Sequence, residues 1–166
     1  RVTVTANGTA DTAEQRIGIR TIQVNSETGL LLNGQPRTMK GGCIHHDLGI
    51  LGSADHAAAE RRRIRLMKES GFDAIRAAHN PFGPAFLDAC DELGMLVVEE
   101  AFDEWVMGRT SFGLHVTFEQ CWEKDLEDMI TRDYNHPCIV MWSTGNEVEE
   151  RDGTADGFAW AKRLAD

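Results

Sequence analysis

Four apolar runs in this chain each end in side chains of the kinds that move protons or grip hydroxyl groups. His45, His46 and Asp47 follow the first, Arg76, His79 and Asn80 the second, Glu99, Glu100, Asp103 and Glu104 the third, and Asn146 and Glu147 the fourth. The fourth is the most informative, because Pro137 and Gly145 bound an apolar stretch, Cys138 to Trp142, and an amide and a carboxylate stand just beyond it. Such a run reads as a strand buried on both faces, and α/β folds place chemistry at the carboxyl ends of such strands. A carboxyl in a partly dry site keeps its proton near neutral pH and can give it to a leaving oxygen. Glu147 is therefore either a general acid/base or a surface carboxylate in a run with Glu149 and Glu150.

Arg76 follows Ile75 on a buried strand, where an unpaired guanidinium is costly, so it requires a carboxylate partner. It is either a clamp on an active-site carboxylate or a core ion pair, and His79 three residues later favours the clamp. His45 and His79 are candidates for hydrogen bonds to substrate hydroxyls or for metal ligation, against the plainer role of core histidines. Trp142 and Trp105 form either a stacking platform or part of the core.

The elements that must position these groups follow from periodicity. Val2 and Val4, then Ile17, Ile19 and Ile22, alternate with polar neighbours as strands with one wet face do. Leu30-Leu31-Leu32, Asn33-Gly34 and the run from Arg37 to Ile44 predict a hairpin whose second arm continues as a strand over about 38–44. From there the pattern is strand, helix, strand. A helix is expected over Ala54–Ser70, with Ser53 or Asp55 as N-cap and Gly71 at C′, then a strand over Ala74–Ala78. Pro84–Leu93 predicts a short helix closed by Gly94, Met95–Val98 a strand, and about 117–134 a third helix that Pro137 keeps from continuing. Ala155–Asp166 starts a further helix, and the sequence stops with no strand after it, the mark of a truncated unit. Successive parallel strands joined by helices close into a barrel or lie in an open sheet. Lys40-Gly41-Gly42-Cys43 lies inside a strand and is no phosphate-binding turn, which argues against a nucleotide-binding sheet. In a barrel the four polar strand ends face one mouth, while Glu99 and Glu100 must split between its interior and the helix layer.

The balance of 17 basic and 27 acidic side chains, net −10, argues against nucleic acid or an anionic membrane as partner. No run is long and apolar enough for a membrane span and no leader-like segment opens the chain. Cys43, Cys90, Cys121 and Cys138 are widely spaced, which favours buried free thiols over disulfides or a zinc cluster and a reducing, cytoplasmic setting. Arg61-Arg62-Arg63 and Arg65 alternate with Glu60 and Glu69 as a solvated helix face does.

The succession Gly29-Leu30-Leu31-Leu32-Asn33-Gly34, Lys40 to Asp47, Ala74 to Pro81, Cys90 to Met95 and Asn135-His136-Pro137 through Asn146-Glu147 resembles glycoside hydrolase family 2, that of β-galactosidases and β-glucuronidases. The resemblance implies the first half, about four β/α units, of a (β/α)8 TIM barrel over residues 25–166, preceded in 1–24 by the last strands of a β-sandwich domain. It implies retaining hydrolysis of terminal β-galactosides, with β-glucuronidase-type specificity or a non-catalytic carbohydrate-binding module as alternatives. Glu147 matches the acid/base, Asn146 the ligand of the sugar 2-hydroxyl, His45 and His79 the sugar-site histidines, and Arg76 the arginine that positions the nucleophile. From the residue reading, Asp47 and Trp142 are expected to join the substrate-binding set. The nucleophile, a glutamate after the seventh barrel strand, falls outside the chain, so the isolated fragment is expected to be inactive and to self-associate through its open sheet edges. Glu104 matches a magnesium ligand of some β-galactosidases, but Val106 stands where the partner histidine would be, so no cofactor is expected.

Overall fold

Two Asn-Gly pairs set the first two sheets. The computed structural model describes residues 1–166, and in it β1 (Val2–Ala6) and β2 (Thr9–Ala13) are antiparallel across Asn7-Gly8, with φ of 50° and 77°. Both positive φ values suit the type I′ turn whose twist matches paired strands. A second sheet joins β3 (Ile22–Asn25), β4 (Gly29–Leu32) and β5 (Gln35–Pro36), again turning at Asn33-Gly34 with φ of 52° and 74°. The predicted turn is present, but its second arm is not one long strand. Pro36 has no N–H to extend the ladder, and a separate strand, β6 (Gly41–Ile44), pairs elsewhere. Ile17 and Ile19 lie outside any strand, Ile19 being 91% exposed, and the 24/25 boundary falls inside β3.

The third sheet is parallel, in the order β6, β7 (Ala74–Ala77), β8 (Leu96–Glu100), β9 (Ile139–Ser143). Helices α1 (Ala57–Glu69), α2 (Pro84–Leu93) and α3 (Phe118–Asp133) connect its strands, and α4 (Gly157–Ala165) follows the last. This is the α/β architecture of a partial TIM barrel. Helix α1 starts at Ala57 with His56 at the N-cap and no side-chain cap, and Asp55, one residue earlier, instead accepts the Ala85 N–H in the first turn of α2 at 3.1 Å. Gly94 ends α2 in the left-handed conformation, as its position predicts.

Ile75, Ala77, Val97 and Ile139 face Ile64, Phe86, Leu87 and Cys90 in the main core between sheet and helices. Alternation turns the intervening residues, Arg76 and Val98 among them, to the other face. Asp91 of α2 fastens β9 to the helix layer by accepting the Cys138 N–H at 2.9 Å and pairing with His136 Nδ1 at 2.7 Å. A smaller core of Phe102, Trp105, Phe118, Met129, Trp160 and Leu164 seats α3, α4 and the loop after β8. Three of the four arginines of α1 are paired and not merely solvated: Arg61 meets Glu92, Arg65 meets Glu69, and Arg63 bonds Glu60 and the carbonyls of His45 and Asp47, holding the loop after β6.

Candidate active site

Glu100 is the hub of the polar ends. It is the last residue of β8 and fully buried, and its Oε2 accepts Arg76 Nε at 3.0 Å, Arg76 Nη2 at 2.6 Å and the Ser143 hydroxyl at 2.7 Å. Its Oε1 pairs with His79 Nδ1 at 2.7 Å. Arg76 thus has the carboxylate partner that its burial demanded. Burial alone would lower the guanidinium pKa, but Cys43 and Glu100 outweigh it and hold the group above its ordinary value. Glu99 takes the opposite direction: it accepts the Phe82 N–H at 2.8 Å on the helix side, leaves Oε2 without a partner, and is pushed up to about 8 by burial.

Arg76 also reaches across the sheet to Asn146, giving its Nη2–H to Oδ1 at 3.0 Å, while Asn146 Nδ2 donates to Asp103 Oδ1 at 3.0 Å. Asp103 accepts Arg109 Nη2 on Oδ1 and, at 2.8 Å, on its carbonyl. Burial would raise Asp103, but Asn146 and Arg109 keep it below the usual carboxylate range. Three further bonds fasten the loops after β8 and β9 together: Asn146 N–H to the Phe102 carbonyl, Trp105 Nε1–H to the Thr144 carbonyl, and Met107 N–H to buried Glu150. Gly145 is needed in that contact, since a Cβ there would lie 2.7 Å from Trp105 Nε1.

Glu147 comes next, exposed, with φ of 45° in the left-handed region that a glutamate seldom adopts. Arg151 bonds its carbonyl and that of Val148, which holds the turn. With His79, Asn80, Asp103, Arg109 and Asn146 it lines a cleft of about 530 Å³. His45, exposed, stands edge-on to His79 with ring centroids 5.0 Å apart.

Other sequence candidates lie elsewhere. Asp47 accepts the Gly49 N–H at 2.7 Å and closes its own loop, away from this cleft. Trp142 pairs in register with Glu99, so alternation turns it from the face that carries Glu100 and Ser143. Trp105 is 5% exposed and belongs to the smaller core, so the two tryptophans make no platform. His46 stacks on Phe82 at 4.0 Å and bonds the Asn80 carbonyl. Conversely, Glu100, Ser143, Asp103 and Arg109 acquire roles that their types alone did not assign. For Glu100 the strand register supplies the reason: Val98 is opposite Arg76, and Glu100 lies two residues further along the same face.

The family model for the TIM barrel domain of glycosyl hydrolases family 2 matches residues 22–166. The chain belongs to glycosyl hydrolase family 2. Within that family it is 44% identical over 142 residues to the β-galactosidase BoGH2A of Bacteroides ovatus, 84% of this chain but 17% of that protein. A family 2 member from Bacteroides cellulosilyticus superposes with a TM-score of 0.92 at 43% identity, over 96% of this chain and 21% of that one. The β-glucuronidase of Ruminococcus gnavus, solved with uronic deoxynojirimycin, gives 0.82 at 31% identity, over 98% and 28%. The chain therefore spans between a sixth and three tenths of these relatives.

The magnesium ion that the family resemblance raises does not fit the residues here. Glu104 is spent on N–H donors, Oε2 on Arg109 N–H at 3.0 Å and Oε1 on His115 N–H at 3.1 Å and its ring Nδ1 at 3.0 Å. Burial opposes its ionisation, but these bonds outweigh it and bring the carboxyl down to about 2. Val106, at the partner position, packs against the smaller core.

Proposed function

We propose that this chain is the front half of the catalytic barrel of a retaining β-galactosidase, with Glu147 as acid/base and a nucleophile supplied by the rest of the parent enzyme. One observation carries the reading: Glu147 lies at the end of the fourth parallel strand, in one cleft with an Asn146 amide held in a bonded chain from His79 through Glu100 and Arg76. A left-handed glutamate beside an amide bonded at both ends is the kind of backbone expense seen at working sites. The name of BoGH2A supports galactosides over glucuronides, which the R. gnavus name favours.

In this mechanism Glu147 protonates the leaving oxygen and later takes a proton from water. Asn146 bonds the 2-hydroxyl, His45 and His79 bond other sugar hydroxyls, and Arg76 orients the nucleophile. No metal takes part, and chelator leaves the activity unchanged. Its test is Glu147→Gln in the parent enzyme, assayed with nitrophenyl and alkyl β-galactosides. Glycosylation falls least for the nitrophenyl leaving group, which needs little protonation. Equal slowing across leaving groups removes Glu147 from the role, and turnover only of β-glucuronides changes the sugar.

Alone, the 166-residue chain is inactive and associates with other copies through the free edges of β6 and β9, beside which Met141 is 46% exposed. Its four free thiols support a cytoplasmic setting, and no helix is long and apolar enough to cross a membrane.

A further inference from the structure

An asparagine amide has two ends that differ only in what they can exchange, a carbonyl that accepts and an NH2 that donates. At Asn146 each end meets a group that works one way. Arg76 can only donate, and its Nη2–H lies 3.0 Å from Oδ1, while the ionised Asp103 can only accept, and its Oδ1 lies 3.0 Å from Nδ2. A flipped amide would set carbonyl against carboxylate and NH2 against guanidinium. Asp103 does not drift, because Arg109 bonds both its Oδ1 and its carbonyl, and Arg109 N–H is itself held by Glu104 at 3.0 Å. The bond from Met107 to Glu150 ties this loop to the one carrying Asn146 and Glu147.

We propose that Asp103, anchored by Arg109, is a positioning residue that locks the Asn146 carboxamide in the one orientation that leaves an N–H and a lone pair facing the cleft. The inference deepens the reading of Asn146 as the ligand of the sugar 2-hydroxyl and rests on it. Asp103 also lines the cleft, so the part of its effect that passes through Asn146 is the part that disappears when Asn146 is removed. Both the Asn146 and the Arg109 side-chain bonds fall on the same oxygen, Oδ1. An asparagine at 103 with its carbonyl in that place keeps both, whereas alanine or leucine keeps neither.

The experiment uses the parent enzyme and nitrophenyl β-galactosides with and without the 2-hydroxyl. Asp103→Ala lowers kcat/KM for the 2-hydroxy substrate about 10- to 100-fold, the range of one lost polar contact. It lowers the 2-deoxy substrate less than about 3-fold, within the spread of an indirect effect. Asp103→Asn restores most of the loss, and Asp103→Ala adds nothing in an Asn146→Ala background. Thermal melts check the fold, and Asp103→Leu, of nearly the same shape, replaces alanine if that variant unfolds. Full additivity of the two substitutions overturns the positioning role, as does failure of Asp103→Asn to rescue. Should Asn146→Ala slow both substrates equally, the 2-hydroxyl reading fails instead, and the additivity measurement still decides whether the two residues are coupled.

Discussion

Glu99→Gln separates a buried acid that keeps its proton from one that does not. Glu99 is fully buried, only one of its oxygens is bonded, and burial pushes it up to about 8 from an ordinary 4.5 despite the Phe82 N–H. Asp133 nearby adds to the rise, while Arg132 and His136 oppose it. Because the folded pKa is raised, the folded chain holds a proton that the unfolded chain releases above about 4.5. The stabilisation is complete below that pH and is lost as pH rises through about 8. Each pH unit in that window removes about 1.4 kcal/mol, and the whole window is worth on the order of 5 kcal/mol at most. Glutamine has the shape of the protonated acid and does not titrate, so its advantage over glutamate grows with pH and levels off above about 8. The assay is urea unfolding of both chains by tryptophan fluorescence at pH 5, 6, 7 and 8, at one protein concentration. Titrations of other groups are common to both and cancel in the difference. Parallel stability curves would refute the reasoning, since they would mean that Glu99 ionises in the fold as freely as outside it.

Glu104→Gln has the opposite pH signature: the acid is brought down to about 2, so its contribution is present above about 4.5 and lost as pH falls through 2. The substitution costs at most about 3 kcal/mol at neutral pH, shrinking in acid, and a cost independent of pH overturns it. Sedimentation velocity tests association of the 166-residue chain, which is expected to exceed monomer mass and to revert towards it on Met141→Lys, a charge beside an open edge. A monodisperse monomer at all concentrations contradicts that.

Element order was legible because periodicity, Gly94 after α2 and Pro137 before β9 are local signals that near neighbours satisfy. The split of Glu99 and Glu100 was equally readable, since successive strand residues face opposite ways whatever surrounds them. Misreadings occurred where a residue's partner lies far off in sequence. Asp55 had the type and place of a cap for α1 but serves α2, thirty residues on. Trp142 has the chemistry of a stacking surface, but its register with Glu99 directs it away from the cleft.

By itself, then, the sequence determined the parallel α/β pattern, the four polar strand ends and Glu147 as the carboxylate to test, because these follow from side-chain type and short-range spacing. Only the tertiary structure decided that Glu100 gathers Arg76, His79 and Ser143, and that Asp103 and Arg109 hold Asn146. Hydrogen bonds act over about 3 Å. Which groups come within that reach across 21 to 70 residues of chain is settled by strand register and loop packing.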